Sequence, residues 1–397
     1  MTVAPHTCPA CGGALAAGRC LRCENQSIYR YIHREIVILA VLIVVTVALF
    51  AGTRRLAASN DTMRRQDARA WYESGLTALR DGHLDTAVAD LRRAATKNSD
   101  TPAYRLALAR ALMTGRQDDA ARQVLLELRE REPDDADTNL ELARLEARRG
   151  DPTTAGRYYQ TAIVELWKPE QRPARRKVRV ELIEFLLAHG ERDRALSELL
   201  VLEAGLPDDA ASQLAAAKML FAAGDAQRAA EHFARVLNRD PDDPAALAGA
   251  AEASFQLNDY PRARRYLSAL QQDTDRTREL RTLTELVLIG DPLAPRLSAR
   301  ERTRRMTAAV AQVTSRLEGC LARAPAARAD LEPPLIDARR FMATLRAGNL
   351  KGASDHAEDG VDMVGRGERM ADRVCAPPEA FDRALVLIAR SHGLEVP

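Results

Sequence analysis

Four of the chain's six cysteines fall between residues 8 and 23, in the run CPACGGALAAGRCLRC. Cys8 and Cys11 form one C-x-x-C pair, Cys20 and Cys23 another. Such a pair can hold two thiolates on one side of a tight turn, so two pairs complete a tetrahedral set of soft ligands. Pro9 fixes the first turn, and Gly12 with Gly13 lets backbone N–H groups approach the sulfurs. Four thiolates leave no open position on a bound ion, which points to a structural metal rather than a catalytic one. The competing reading is a set of redox thiols or an unstructured tail. A module this small has too little core to fold without its ion. The other two thiols, Cys320 and Cys375, are either isolated small apolar residues or a mutual disulfide closing C-terminal helices together outside the cytoplasm.

Little else in the chain offers chemistry. The seven histidines are scattered, with no H-x-x-H or H-E-x-x-H spacing. Phosphate-cradling, nucleophile-elbow and dinucleotide-binding patterns are absent. The acidic pairs Asp134–Asp135, Asp208–Asp209 and Asp242–Asp243 stand where helices are about to begin, and read as caps. With 53 Arg, 5 Lys and a net charge of +2, no strong global field draws nucleic acid or acidic lipid.

The elements that must position these residues are helical. Ala, Leu, Arg and Glu dominate, aromatics are 4%, and Val and Ile concentrate in one segment, so the fold class is all-α. That segment is Ile36 to Phe50, which with Ala51 and Gly52 gives 17 residues, enough for one transmembrane helix. Tyr29 and Tyr31 precede it as interfacial aromatics do, and no polar face remains to show water. Arg22, Arg30 and Arg34 lie before the span and Arg54, Arg55, Arg64 and Arg65 after it, a nearly balanced count.

From Ala68 to Leu270 the chain repeats. Ala87, Ala120, Ala155, Ala195, Ala229 and Ala263 each follow a Gly (Asn258 in the sixth copy) by five residues and precede a bulky apolar residue by four. The spacings are 33, 35, 40, 34 and 34. In the first copy Trp71, Gly75, Ala87, Leu91 and Ala94 complete the grammar. This period and pattern resemble the tetratricopeptide repeat (TPR). The resemblance implies six helix–turn–helix units stacked in one right-handed superhelix over residues 68–270. It also implies that particular first-helix positions line an inner groove for a partner protein or peptide. Those positions hold Arg69, Tyr72, Arg80, Arg105, Arg144, Arg148, Lys177, Lys218 and Phe221, opposed by Asp137, Glu184 and Glu252. This mild positive bias suits an acidic or C-terminal peptide. Tyr72 and Leu76 replace the first Lys and Asn of the family's carboxylate clamp, so chaperone binding of that kind is not implied. The 40-residue interval carries an inter-repeat insertion with Trp167, Lys168, Pro169 and Pro173.

The cysteine run, with its C-P-x-C-G opening, is similar to the zinc-ribbon family, which implies structural zinc on Cys8, Cys11, Cys20 and Cys23 and a minimal strand pair. The whole layout resembles bacterial membrane TPR proteins of no assigned activity. It divides into a zinc-ribbon-like module (1–28), a juxtamembrane linker (29–35), a transmembrane helix (36–52), a second linker or helix (53–67), the TPR array (68–270) and a C-terminal helical region (271–397). In that last region Met306, Val310, Val313 and Leu317 keep a helical period. The leading functional expectation is a non-catalytic, membrane-anchored interaction scaffold of the inner (cytoplasmic) membrane. The zinc module lies in the reducing cytoplasm and the array outside it. The alternatives are an enzyme or ligand-binding activity in the C-terminal helices, or nucleic-acid binding through the zinc module.

Overall fold

The computed structural model describes residues 7–16, 19–165, 169–346, 356–375 and 377–394, with side chains omitted at 24–30 and 169. The insertion residues Trp167 and Lys168 lie outside them. Every regular element among the described residues is a helix, apart from two isolated bridges, Thr7 with Ala14 and Ala16 with Arg19. The chain divides into two compact units, 1–165 and 166–397.

The first unit is organised by α1, Leu21–Arg80, a single helix of 60 residues. It contains a run long and apolar enough to cross a membrane, and all residues from Ile36 to Gly52 are exposed. The hydroxyl of Thr46 donates to the Leu42 carbonyl at 2.7 Å, so the one polar side chain of that run is satisfied within the helix. The two expected linkers are thus helical, and α1 continues without a break into the first helix of the first repeat. α2 (Leu84–Lys97), α3 (Pro102–Thr114), α4 (Asp118–Arg131), α5 (Ala136–Arg149) and α6 (Pro152–Val164) follow, each packed on its predecessor.

The second unit begins with α7 (Arg172–Ala188) and α8 (Arg192–Glu203). It continues with α9 (Ala210–Ala223), α10 (Ala226–Leu237), α11 (Pro244–Gln256) and α12 (Tyr260–Ala269). The acidic residues between helices do cap them. The carboxylates of Asp135, Asp209, Asp225 and Asp243 accept backbone N–H bonds at the starts of α5, α9, α10 and α11.

One left-handed residue separates the helices of each pair: Gly82, Arg116, Gly150, Gly190, Gly224 and Asn258. Their spacings are 34, 34, 40, 34 and 34, which corrects the uneven sequence register. In the second repeat Arg116 adopts φ 59° and Gly115 φ −79°. Ala121 and Leu125, both 0% exposed, therefore occupy the small and bulky positions, not Ala120 and Val124. The bulky set Leu91, Leu125, Tyr159, Leu199, Phe233 and Leu267 is buried throughout. Close approach is what the small residues allow. A Cβ on Gly75 would lie 2.7 Å from Leu91, and one on Gly249 would lie 2.2 Å from the Phe233 ring.

The C-terminal helices are α13 (Asp275–Gly290), α14 (Ala299–Arg323), α15 (Arg328–Arg346), α16 (Ala357–Val374) and α17 (Ala380–Ser391). Leu280 of α13 joins Ala251 and Leu267 in a small core, closing the last repeat. Along α14, Met306, Val313 and Cys320 recur every seven residues and meet Gly360, Gly367 and Cys375 of the α16 segment. The two helices therefore run parallel and in register. Glycine on one side accepts the large side chain of the other.

Candidate metal centre and repeat groove

The cysteine module is built from one turn and one helix start. The Cys8 N–H donates to the Gly13 carbonyl at 2.8 Å and the Gly12 N–H to the Cys8 carbonyl at 2.9 Å, with Gly12 at φ +70°. Cys20 is the N-cap of α1 and Cys23 lies in its first turn. The second C-x-x-C pair therefore stands on a helix N-terminus rather than in a strand hairpin, a difference from the ribbon pattern. Its physical reason is the chain itself, since the residues after Cys23 continue as helix and leave no returning strand.

The four sulfurs lie within 4.8 Å of one another, with Cys11 to Cys20 at 3.4 Å and Cys8 to Cys23 at 3.9 Å. Tetrahedral ligands at a zinc–sulfur distance of ~2.3 Å stand about 3.8 Å apart, so the cluster is compatible with such an ion. Hydrogen bonding lowers the Cys20 thiol to about 7, first from the backbone N–H of Cys23 and then from Cys11. Hydrogen bonding with the Cys11, Cys20 and Cys8 sulfurs favours the protonated Cys23 thiol and pushes it up to about 12. The two thiols of the second pair are thus shifted in opposite directions, Cys20 toward the thiolate and Cys23 toward the thiol.

The expected groove residues fall on both units. In the first, Arg69 and Tyr72 stand on α1 and Arg144 and Arg148 on α5, the first helices of their repeats. With the turn at Arg116, the second repeat's counterpart of Tyr72 is Leu106 rather than Arg105, and Arg110 becomes the counterpart of Leu76. Most of this charge is compensated. Arg110 and Arg144 both reach the buried carboxylate of Glu141, at 2.8 and 3.0 Å. Arg148 pairs with Asp118 and donates to the Met113 carbonyl. Arg69 bonds Glu73 at 2.8 Å, which holds its guanidinium above the usual range. Tyr72 stacks on Tyr104 with ring centroids 4.8 Å apart. In the second unit Lys177 and Lys218 are exposed and Phe221 half-buried. Among the described residues neither lysine has an ion-pair partner.

Cys320 and Cys375 lie in disulfide contact with Cα atoms 5.6 Å apart, Cys320 fully buried. Beside them is a charge cluster that no sequence pattern marked. The Arg316 guanidinium meets Glu368 and Asp372 of α16 and, at 3.5 Å, Asp382 of α17. Glu368 is 0% exposed and its Oε1 has no hydrogen-bond partner. Burial dominates over Arg316 and pushes its carboxyl up to about 7.

Paired helices recurring every 34 residues, with small and bulky residues in fixed alternation, define a helical-repeat protein. Tetratricopeptide repeat models match residues 78–145, 180–244 and 220–286, and these regions are tetratricopeptide repeats. Among solved structures, one described as Pseudomonas aeruginosa pilF is similar at 16% identity and a TM-score of 0.40, covering 52% of this chain and 90% of that one. PilW, described as a type IV pilus biogenesis factor, is similar at 16% identity and a TM-score of 0.39, covering 53% and 96%. YrrB, described as a TPR protein with an unusual peptide-binding site, is similar at 17% identity and a TM-score of 0.34, covering 49% and 95%. No curated protein sequence matches the chain.

Proposed function

We propose that this chain is a membrane-anchored scaffold that holds a partner protein or peptide on the inward faces of its tetratricopeptide repeats. The observation that carries the reading is α1. One helix starts in the cysteine cluster, exposes an unbroken apolar run, and ends as the first helix of the first repeat. An apolar run with no protein around it needs lipid, and a repeat array needs no catalytic residue to be useful. Structural zinc on Cys8, Cys11, Cys20 and Cys23 folds the N-terminal module. The span sits in the inner membrane with that module in the cytoplasm, where thiolates persist, and the array lies outside, where Cys320 and Cys375 oxidise to a disulfide. Each unit offers its own positions to a partner, Tyr72 and its neighbours in the first and Lys177, Lys218 and Phe221 in the second.

Carbonate-washed membranes from cells expressing the full chain test the anchor. The chain stays in the pellet, and deletion of residues 29–52 releases it. A full chain that washes off overturns the anchoring. A photocrosslinker in place of Phe221 tests the groove. It captures a protein in a manner lost in Lys218→Glu, and capture indifferent to that change moves the partner off the inward face. Protease added to spheroplasts tests orientation, since it degrades the repeats and spares the cysteine module. Protected repeats reverse the topology.

A further inference from the structure

The first repeat carries a second surface, distinct from its inward-facing residues. Between α1 and α2 runs a groove of about 840 Å³ lined by Asp67, Trp71, Ala89, Arg92, Arg93, Thr96 and Lys97. Among these, Trp71 is half-buried and Ala89 is the smallest side chain. The Arg93 guanidinium lies over the ring at 4.7 Å and is anchored at 3.2 Å to Asp90, itself 5% exposed and bonded to Ser74. Lys97 meets Asp67 at 3.5 Å. Among the described residues Arg92 has no ion-pair partner.

Arg92 differs in this from the arginines of the first unit's groove set. There, Arg69, Arg110, Arg144 and Arg148 are each bonded to a carboxylate of the same unit. Around Trp71, Arg93 is paired with Asp90 and Lys97 with Asp67, so a half-buried aromatic side chain coincides with one cation, Arg92, that has no ion-pair partner among the described residues. The negative end of α2 accounts for Lys97 in its last turn, but the effect fades beyond that turn and does not explain Arg92.

We propose that this groove docks an acidic peptide segment of a partner protein that carries one aromatic or large aliphatic side chain. Carboxylates of the segment pair with Arg92 and take Lys97 from Asp67, while its apolar side chain lies along the indole under the rim set by Arg93. A lipid headgroup is the wrong occupant. Asp67 is fifteen residues beyond Gly52 on one continuous helix, or about 22 Å along its axis, past the ~8–10 Å reach of a charged surface at ordinary salt. One unpaired cation with two paired ones is also too few for a nucleic-acid track. The inference extends the scaffold reading by giving the same partner class a second foothold.

Trp71 reports on its own site. Trp167→Phe leaves it the only tryptophan of the full-length chain. That protein, in detergent micelles, is titrated with a short Asp/Glu peptide bearing one central Phe. Trp71 emission changes and saturates, and the apparent affinity falls by about tenfold or more in the Arg92→Glu, Lys97→Glu double variant and at high salt. Replacing Phe by Ala in the peptide weakens it as well. Arg92→Gln with Lys97→Gln, whose helical content is checked by circular dichroism, gives the same direction with a smaller loss. Lys218→Glu leaves the titration unchanged, so failure of the inward-face reading is seen separately. Three results overturn the proposal: no saturable change, a change that survives loss of Arg92 and Lys97, or an equal change with anionic vesicles or single-stranded oligonucleotide.

Discussion

Replacing Glu368 by Gln should stabilise the C-terminal helices above neutral pH and leave them unchanged in mild acid. The carboxyl is wholly buried, one oxygen is unpartnered, and Asp372 and Asp382 compete for the single guanidinium of Arg316. Its value in the folded chain is about 7, against an ordinary 4.5. Between those values the folded protein holds a proton that the unfolded chain has released. The associated stability is therefore fully present below about 4.5, falls as pH rises, and is gone above about 7. A gap of that size corresponds to about 3 kcal/mol at ~1.4 kcal/mol per pH unit, and the isosteric amide removes it. Groups such as Glu301, held down to about 2 by Arg304 and Arg305, act only in stronger acid and appear equally in both proteins. Hydrogen exchange of α16 in the full-length protein reads the local free energy without assuming two-state unfolding. The expected result is a falling protection energy between pH 4.5 and 7 in the parent and a flat one in the variant. A flat profile in the parent, or equal slopes in both, would refute the reasoning.

Native mass spectrometry of the full chain in detergent should show one zinc per molecule, lost in Cys8→Ser with Cys23→Ser, and no metal at one equivalent would remove the centre. Gly249→Val should drive into the Phe233 ring and cost about 1–3 kcal/mol by overpacking, measured as a loss of thermal stability that a Phe233→Leu partner change partly restores. Thiol counting on unfolded, zinc-stripped protein should find four reactive cysteines rather than six, and Cys320→Ser should cost about 2–4 kcal/mol more in oxidised than in reduced protein.

The fold was legible because each repeat writes its packing twice, once in a small residue and once in a bulky one. The slip in the second repeat shows the limit. A glycine looked like the turn, yet the chain places Arg116 in the left-handed conformation and Gly115 in an ordinary one. Unequal neighbouring spacings of 33 and 35 residues, where 34 and 34 were needed, were the available signal. Arg105 stood in the groove set, and Arg110 outside it, for the same reason. The cysteine cluster was readable from two spacings because its four thiols are close in sequence. The Arg316 cluster was not, because its acids lie 52 to 66 residues from Arg316 and meet it only through tertiary packing. The groove's charge balance was likewise hidden, since carboxylates such as Glu141 lie off the positions that a repeat template names.

The helix α1 has a mechanical consequence. Between Gly52 and Arg80 it holds no proline and only Gly75, which is pinned against Leu91. In the anchored arrangement proposed above, nothing along this stretch can absorb a change in the angle of the membrane segment. The lever from Gly52 to Arg80 is about 42 Å long, so a ten-degree tilt sweeps its far end through about 7 Å, more than one helical turn. A bilayer that thins or thickens would thereby swing the first repeat sideways, and bilayer thickness becomes a variable that a docked partner can feel.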